Sequence, residues 1–145
     1  MKAGEKCLVI GSGLSGIGSV GLLEHIGAEV ILYDSNEKLT EEKMRSLLPA
    51  ASRARCVAGE LPEEIFSETE TVVLSPGVPV DIPLVNALRE KGAGIIGEIE
   101  LGFSQEQGRV AAITGTNGKT TTTTLTGEIM KAHFGEKKTF VVGNI

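Results

Sequence analysis

Short apolar runs alternate with longer amphipathic segments along most of the chain. "KCLVI" (6–10), "EVILYD" (29–34) and "TVVLS" (71–75) are compact runs rich in branched residues, and each predicts a buried strand. "RCVAG" (55–59) and "AGIIG" (93–97) predict weaker, shorter strands. Between them, residues 15–26 predict a helix that buries Ile17, Val20, Leu22, Leu23 and Ile26. "TEEKMRSLL" opens on Thr40, a capping residue followed by two acids, and predicts a second helix. Further helices are predicted over 84–91 and 98–105. "SPGVPVDIP" (75–83) holds three prolines and one glycine in nine residues and must be loop. Repeated β-α alternation predicts an α/β fold: a Rossmann-like, mainly parallel sheet with helices on both faces.

The polar stretch "SQEQGR" (104–109) interrupts this rhythm, which then restarts. Strand "VAAIT" (110–114), loop "GTNG" (115–118), helix 119–133 and strand "TFVVG" (139–143) form the expected first βαβ unit of a P-loop domain. The predicted division is therefore 1–106 and 107–145.

Composition narrows what such a fold does. The 145 residues are 41% hydrophobic and 23% charged, but only 3% aromatic and without Trp, so Val, Ile, Leu and Ala must fill the core. A net charge of −5 with no basic stripe argues against a nucleic-acid partner. No apolar run approaches the roughly 20 residues of a membrane span, and no signal-peptide core stands at the N-terminus. Cys7 and Cys56 lie in strand-like runs and read as reduced core thiols of a cytoplasmic protein. His25 and His133 stand at helix ends and suggest no metal site.

Two glycine loops carry the candidate chemistry. Gly11, Gly13 and Gly16 satisfy G-x-G-x-x-G between a strand and a helix. There the backbone can approach a diphosphate, and the helix N-terminus supplies free amides and the positive dipole end. Asp34 ends the second strand, where an acid can take a ribose hydroxyl. This selects a diphosphate beside a ribose without selecting one nucleotide. The alternative is a tight turn that needs glycine for packing.

The second loop is "AITGTNGKTTTT" (112–123), where Gly118-Lys119-Thr120 opens a helix. Backbone amides can wrap phosphates, Lys119 can reach the β and γ oxygens, and a threonine hydroxyl can reach Mg²⁺. The strict P-loop pattern is not met, because Ile113 stands where its first glycine belongs and the leading glycine is Gly115.

"GTNGKTTTT" resembles the ATP loop of the Mur ligases, the ATP-dependent enzymes that build the peptidoglycan stem peptide. "SPGVPVDIPLV", "GIIGEIEL" and the closing "GNI" look like the D-glutamate-adding branch, and the order of motifs fits along the whole chain. The resemblance implies a ligase that joins D-glutamate to UDP-N-acetylmuramoyl-L-alanine through an acyl phosphate, using ATP and Mg²⁺ and no NAD. It implies that Gly13, Leu14, Ser15, Asp34, Ser35, Gly77 and Asn144 bind the UDP-linked substrate. Gly115, Thr116, Asn117, Gly118, Lys119, Thr120 and Thr121 would hold the ATP phosphates. Lys119 would be catalytic and Thr120 the Mg²⁺ ligand, with Thr121 as the alternative. Ser12 and Ser15 differ from residues common in that family.

Members of the family are much longer than this chain, and their further catalytic groups lie downstream of "GNI". The chain is therefore expected to be an N-terminal piece that is silent by itself. "TFVVG" is expected to leave an apolar edge that promotes self-association. Two rival readings stay open at this point: a fragment of an NAD-dependent dehydrogenase, favoured by the first loop, and a non-catalytic nucleotide-binding module.

Overall fold

The computed structural model describes residues 1–143, and its chain divides into two compact units, Met1–Glu106 and Gln107–Ile145. The first unit contains five parallel strands: β1 (Lys6–Ile10), β2 (Glu29–Asp34), β3 (Arg55–Ala58), β4 (Thr71–Leu74) and β5 (Gly94–Gly97). Their order across the sheet is β3-β2-β1-β4-β5. The helices of this unit are α1 (Leu14–Ile26), α2 (Glu41–Leu47), α3 (Glu63–Glu68), α4 (Pro83–Glu90) and α5 (Glu98–Ser104).

Side-chain alternation along β1 divides the core. Cys7 and Val9 join one cluster with Val20 and Leu23 of α1, Met44 of α2 and Leu101 of α5. Leu8 and Ile10 join the opposite cluster with Ile65 of α3 and Val85 and Leu88 of α4. Both faces of the sheet are covered, as a parallel sheet of continuous apolar strands requires. Cys7 and Cys56 are buried free thiols on the same face. Burial raises both thiol pKa values, that of Cys7 to about 12.

Local chemistry explains most boundaries. Thr40 caps α2 by accepting a 3.2 Å hydrogen bond from the Lys43 amide. Gly27 ends α1 in the left-handed region at φ 88°. Glu24 of α1 accepts from Ser52 Oγ at 3.0 Å and from the Ala54 amide at 2.9 Å, fixing the approach to β3.

Two details of the first unit differ from the sequence expectation. In α1 the fully buried stripe is Gly16, Ser19, Val20 and Leu23, while Ile17, Leu22 and Ile26 are only half-buried. The helix approaches the sheet so closely at Gly16 that small residues face inward. The short helix α3 is additional; its six residues bury only Ile65, too little for a periodic signal.

The second unit is built on α6 (Lys119–Phe134), followed by a 3₁₀ turn at Glu136–Lys138. The helix and loop of the expected βαβ unit are present, but its two strands are not. Residues 110–114 and 139–143 pair into no strand among the described residues, and Val110, Phe140 and Val142 are more than half exposed. An apolar run becomes a strand only with a ladder partner, and neither segment has one among the described residues. Val141 is half-buried and packs on Gly127 of α6, where an added Cβ would lie 2.4 Å from Val141 Cγ2.

Candidate functional site

Parallel register brings the carboxyl ends of β1, β2 and β4 level: Ile10 lies opposite Tyr33 on one side and Leu74 on the other. The chain runs outward through β2 and β3 and then returns to the far side of β1. That reversal makes the β1/β4 boundary the switch point, where open α/β sheets leave a crevice. The loop after β1 is Gly11–Gly13 and the loop after β4 begins at Ser75, so these two loops border this crevice.

The first loop is tightly held. The Gly11 amide donates to Tyr33 O at 2.8 Å, and Ser75 Oγ donates to Gly11 O at 3.3 Å. Gly11 has φ 105°, and a Cβ there would lie 2.9 Å from the Ser75 side chain. A Cβ on Gly16 would lie 1.9 Å from Gly11 O. These two glycines are needed for packing. Gly13 is different: a Cβ there would meet nothing within 4 Å, and the residue is the uncapped N-cap of α1. No side chain caps α1 and no acid stands in its first turn, so its leading amides face a site suited to an anion.

Asp34 closes the other side of the loop. Its Oδ2 accepts from Ser12 Oγ at 2.6 Å and from the Ser12 amide at 3.0 Å, and its Oδ1 accepts from the Asn36 amide at 3.0 Å. Partial burial alone would raise its pKa; the Ser12 hydroxyl and these two amides outweigh that and hold it below the usual carboxylate range.

The structure thus brings Gly13, Leu14, Ser15 and Asp34 together at one loop. Leu14 is 91% exposed despite being apolar, Ser15 is half-buried, and Ser35 and Gly77 are exposed on the neighbouring loops. Asn144 lies outside the described residues. Sequence reasoning missed Ser12 as a partner of Asp34 and Ser75 as a partner of Gly11. The available signal was a hydroxyl residue after the first glycine, with an acid at the end of the next strand. A groove of about 780 Å³ lies at the opposite, amino ends of the strands, lined by Lys6, Glu29 and Arg55 among others, and contains no candidate residue.

The second loop leads into α6. Gly118 is the N-cap at φ 76°, and Gly115 has φ 158°. No side chain caps this helix, no acid stands in its first turn, and the Thr122 amide donates to Gly118 O at 2.9 Å. Gly115, Thr116, Asn117, Lys119, Thr120 and Thr121 are all exposed, and Lys119 Nζ donates back to Gly115 O. Free amides, glycines at positive φ and a lysine folded over the loop fit a polyphosphate. No group of three or more His, Cys, Asp or Glu that could hold a metal exists among the described residues.

A family model for the Mur ligase MurD-like N-terminal domain matches residues 5–97. The chain belongs to the MurD-like Mur ligases. It is 50% identical over 142 residues to the UDP-N-acetylmuramoylalanine–D-glutamate ligase of Lachnoclostridium phytofermentans, covering 98% of this chain and 31% of that protein. It is 48% identical over 138 residues to the ligase of the same name from Lachnospira eligens, covering 95% of this chain and 30% of that protein. The chain thus spans about a third of the length of the relatives it matches. Among solved structures, a pseudomurein peptide ligase type C from Methanothermus fervidus aligns with a TM-score of 0.55 at 23% identity, covering 88% of this chain and 26% of that one, which is a likeness of fold.

Proposed function

We propose that this chain supplies the substrate-nucleotide site and the ATP loop of a ligase that adds D-glutamate to UDP-N-acetylmuramoyl-L-alanine. The observation that carries the reading is the presence, in one MurD-like chain, of two uncapped helix N-termini, each introduced by a glycine loop: Gly11–Gly13 before α1 and Gly115–Gly118 before α6. Residues 1–106 form the UDP-binding domain, and residues 107–145 begin the ATP-binding domain.

The first-turn amides of α1, from Leu14 and Ser15, meet the diphosphate, while Asp34 and Ser35 flank the uridine. Gly13 leaves room for the phosphate to approach, since a Cβ there would face open space. Gly77 lines the same pocket. Gly115, Thr116, Asn117, Gly118, Thr120 and Thr121 hold the ATP phosphates through backbone amides and hydroxyls. Lys119 would offset phosphate charge, and the Thr120 hydroxyl would serve as one ligand of Mg²⁺.

ATP with Mg²⁺ supplies the phosphoryl group that turns the substrate's alanyl carboxylate, a poor electrophile, into one that the D-glutamate amine can attack. The chain works in the cytoplasm. The exposed Leu125, Ile129 and Phe134 of α6, with Phe140 and Val142, give it an apolar surface that promotes self-association at high concentration.

Titration calorimetry with UDP-N-acetylmuramoyl-L-alanine, NADH and ATP tests the reading. Binding of the UDP-linked substrate with no NADH binding is expected. NADH binding with no UDP-sugar binding would overturn it. Sedimentation velocity over a concentration series tests the association, and a monomer throughout would exclude it.

A further inference from the structure

Two glycines of the first loop make room for one side chain from the neighbouring loop. A Cβ on Gly11 would lie 2.9 Å from both Cβ and Oγ of Ser75, and a Cβ on Gly16 would lie 3.1 Å from Ser75 Oγ. Ser75 therefore occupies a seat that a side chain at either glycine would fill. From that seat its hydroxyl donates to Gly11 O at 3.3 Å, and its amide donates to Ile10 O at 3.1 Å. Side chain and backbone together tie the end of β4 to the end of β1, at the switch point of the sheet.

Ser75 also begins a tight turn. The Val78 amide donates back to Ser75 O at 2.9 Å and closes the turn over Pro76 and Gly77. Pro76 has no N–H to offer. The Gly77 amide has no hydrogen-bond partner among the described residues, and a Cβ on this exposed glycine would meet nothing within 4 Å. Of the 75–78 turn, Gly77 alone thus keeps an unengaged donor, at the crevice that the loop before α1 also borders.

We propose that Ser75 is a positioning residue of this site: seated between Gly11 and Gly16, it keys the 75–78 turn to the glycine loop so that the Gly77 amide and the first amides of α1 meet one diphosphate. The inference rests on the reading of the first loop as a UDP site. Ser75 acts through the turn it begins. Loss of its hydroxyl removes the side-chain tie and leaves the backbone bond to Ile10 to set the turn. The Gly77 amide is then held less firmly against phosphate, while Asp34, on the uridine side, keeps its bonds to Ser12 and Asn36.

Amide chemical-shift titrations with UDP, and with uridine, which lacks both phosphates, test this on the whole chain, Ser75→Ala and Ser75→Thr. The readouts are the preference for UDP over uridine and the movement of the Gly77 amide signal. Loosened packing alone would weaken both ligands together and leave the preference unchanged. In the unaltered chain UDP is expected to move the Leu14, Ser15 and Gly77 signals with one affinity, and uridine to leave Gly77 in place. Ser75→Ala is expected to cut the preference about fivefold, the worth of one neutral hydrogen bond, and to shrink the Gly77 movement while those of Leu14 and Ser15 persist. Ser75→Thr, which keeps the hydroxyl, is expected to retain both. Should Ser75→Ala fail to fold, Ser75→Cys supplies the same comparison with a weak donor in place of a strong one. An unchanged preference in a variant that lacks the hydroxyl and still binds UDP, or a Gly77 signal that UDP does not move in the unaltered chain, overturns the role of Ser75 and leaves the UDP site standing. An unaltered chain that does not bind UDP overturns the site and this role with it.

Discussion

The two glycine loops of this chain share a plan and differ in how they are held. The first follows a strand at the centre of a five-stranded sheet, and backbone, serine and carboxylate bonds from two other strand ends fix it. The second follows a segment without strand structure, and Lys119, the lysine that would meet the phosphate, tethers it through Gly115 O. The first loop is thus shaped before any ligand arrives. The second keeps its amides and lysine exposed, and a ligand there would meet a loop held by fewer bonds. A site for a large, specific substrate gains from preorganisation, whereas a polyphosphate supplies enough charge to organise its own cradle.

Glycine substitutions should expose this contrast most strongly. Gly16→Ala drives a Cβ to within 1.9 Å of a backbone oxygen that cannot retreat. It should cost more than about 4 kcal/mol and leave the first unit unfolded by circular dichroism. Gly118→Ala meets no atom within 4 Å and has only its φ of 76° to overcome. It should cost about 1 kcal/mol, read as faster amide exchange in the first turn of α6 and no loss of the first unit.

A core pair extends the comparison with a smaller effect. Leu23 of α1 is fully buried, whereas Leu125 of α6 is 61% exposed. Leu23→Ala should destabilise by about 3 kcal/mol in urea unfolding. Leu125→Ala should change stability by less than about 0.5 kcal/mol and should reduce any self-association. Equal losses at the two positions would mean that the second unit is as well packed as the first.

The same contrast governs what could be read before the structure. The strands at 6–10, 29–34 and 71–75 were legible because branched apolar runs stand between glycine and helix signals. The first loop was legible as local spacing, and so was the helix that begins at Lys119. The runs at 110–114 and 139–143 have the same apolar content, yet a strand depends on its neighbour as much as on its own residues. The bond from Ser12 to Asp34 was hidden for a related reason: sheet register brings those residues together, and spacing alone does not reveal register. In α1, apolar periodicity pointed to Ile17 and Ile26, but close approach at Gly16 turned a small-residue stripe inward instead.

The titrating groups of the first unit add a pH test. The folded pKa of Asp34 is depressed, so the stability it contributes is present above its unfolded value and is lost as pH falls through the folded one. Cys7 works in the opposite sense. Its folded pKa of about 12 means that stability is full below the unfolded thiol value near 8.5 and declines as pH rises toward 12. Urea midpoints should therefore fall at both extremes, and the alkaline fall should shrink in Cys7→Ala. Thiol reagents at neutral pH should label Cys7 only after unfolding.

The smallest effect on stability should come from the residue most exposed to functional loss. Lys119 is solvent-exposed, and its recorded hydrogen bond closes on Gly115 of its own loop. Lys119→Ala removes that bond but places a better helix former at the first position of α6. The melting temperature without nucleotide should therefore stay close to that of the unaltered chain, while any stabilisation by ATP with Mg²⁺ should disappear. A marked fall in melting temperature without nucleotide would show that the lysine already braces the loop before phosphate arrives. The second loop would then be preorganised like the first, and the division between a loop shaped by the sheet and a loop shaped by its ligand would fail.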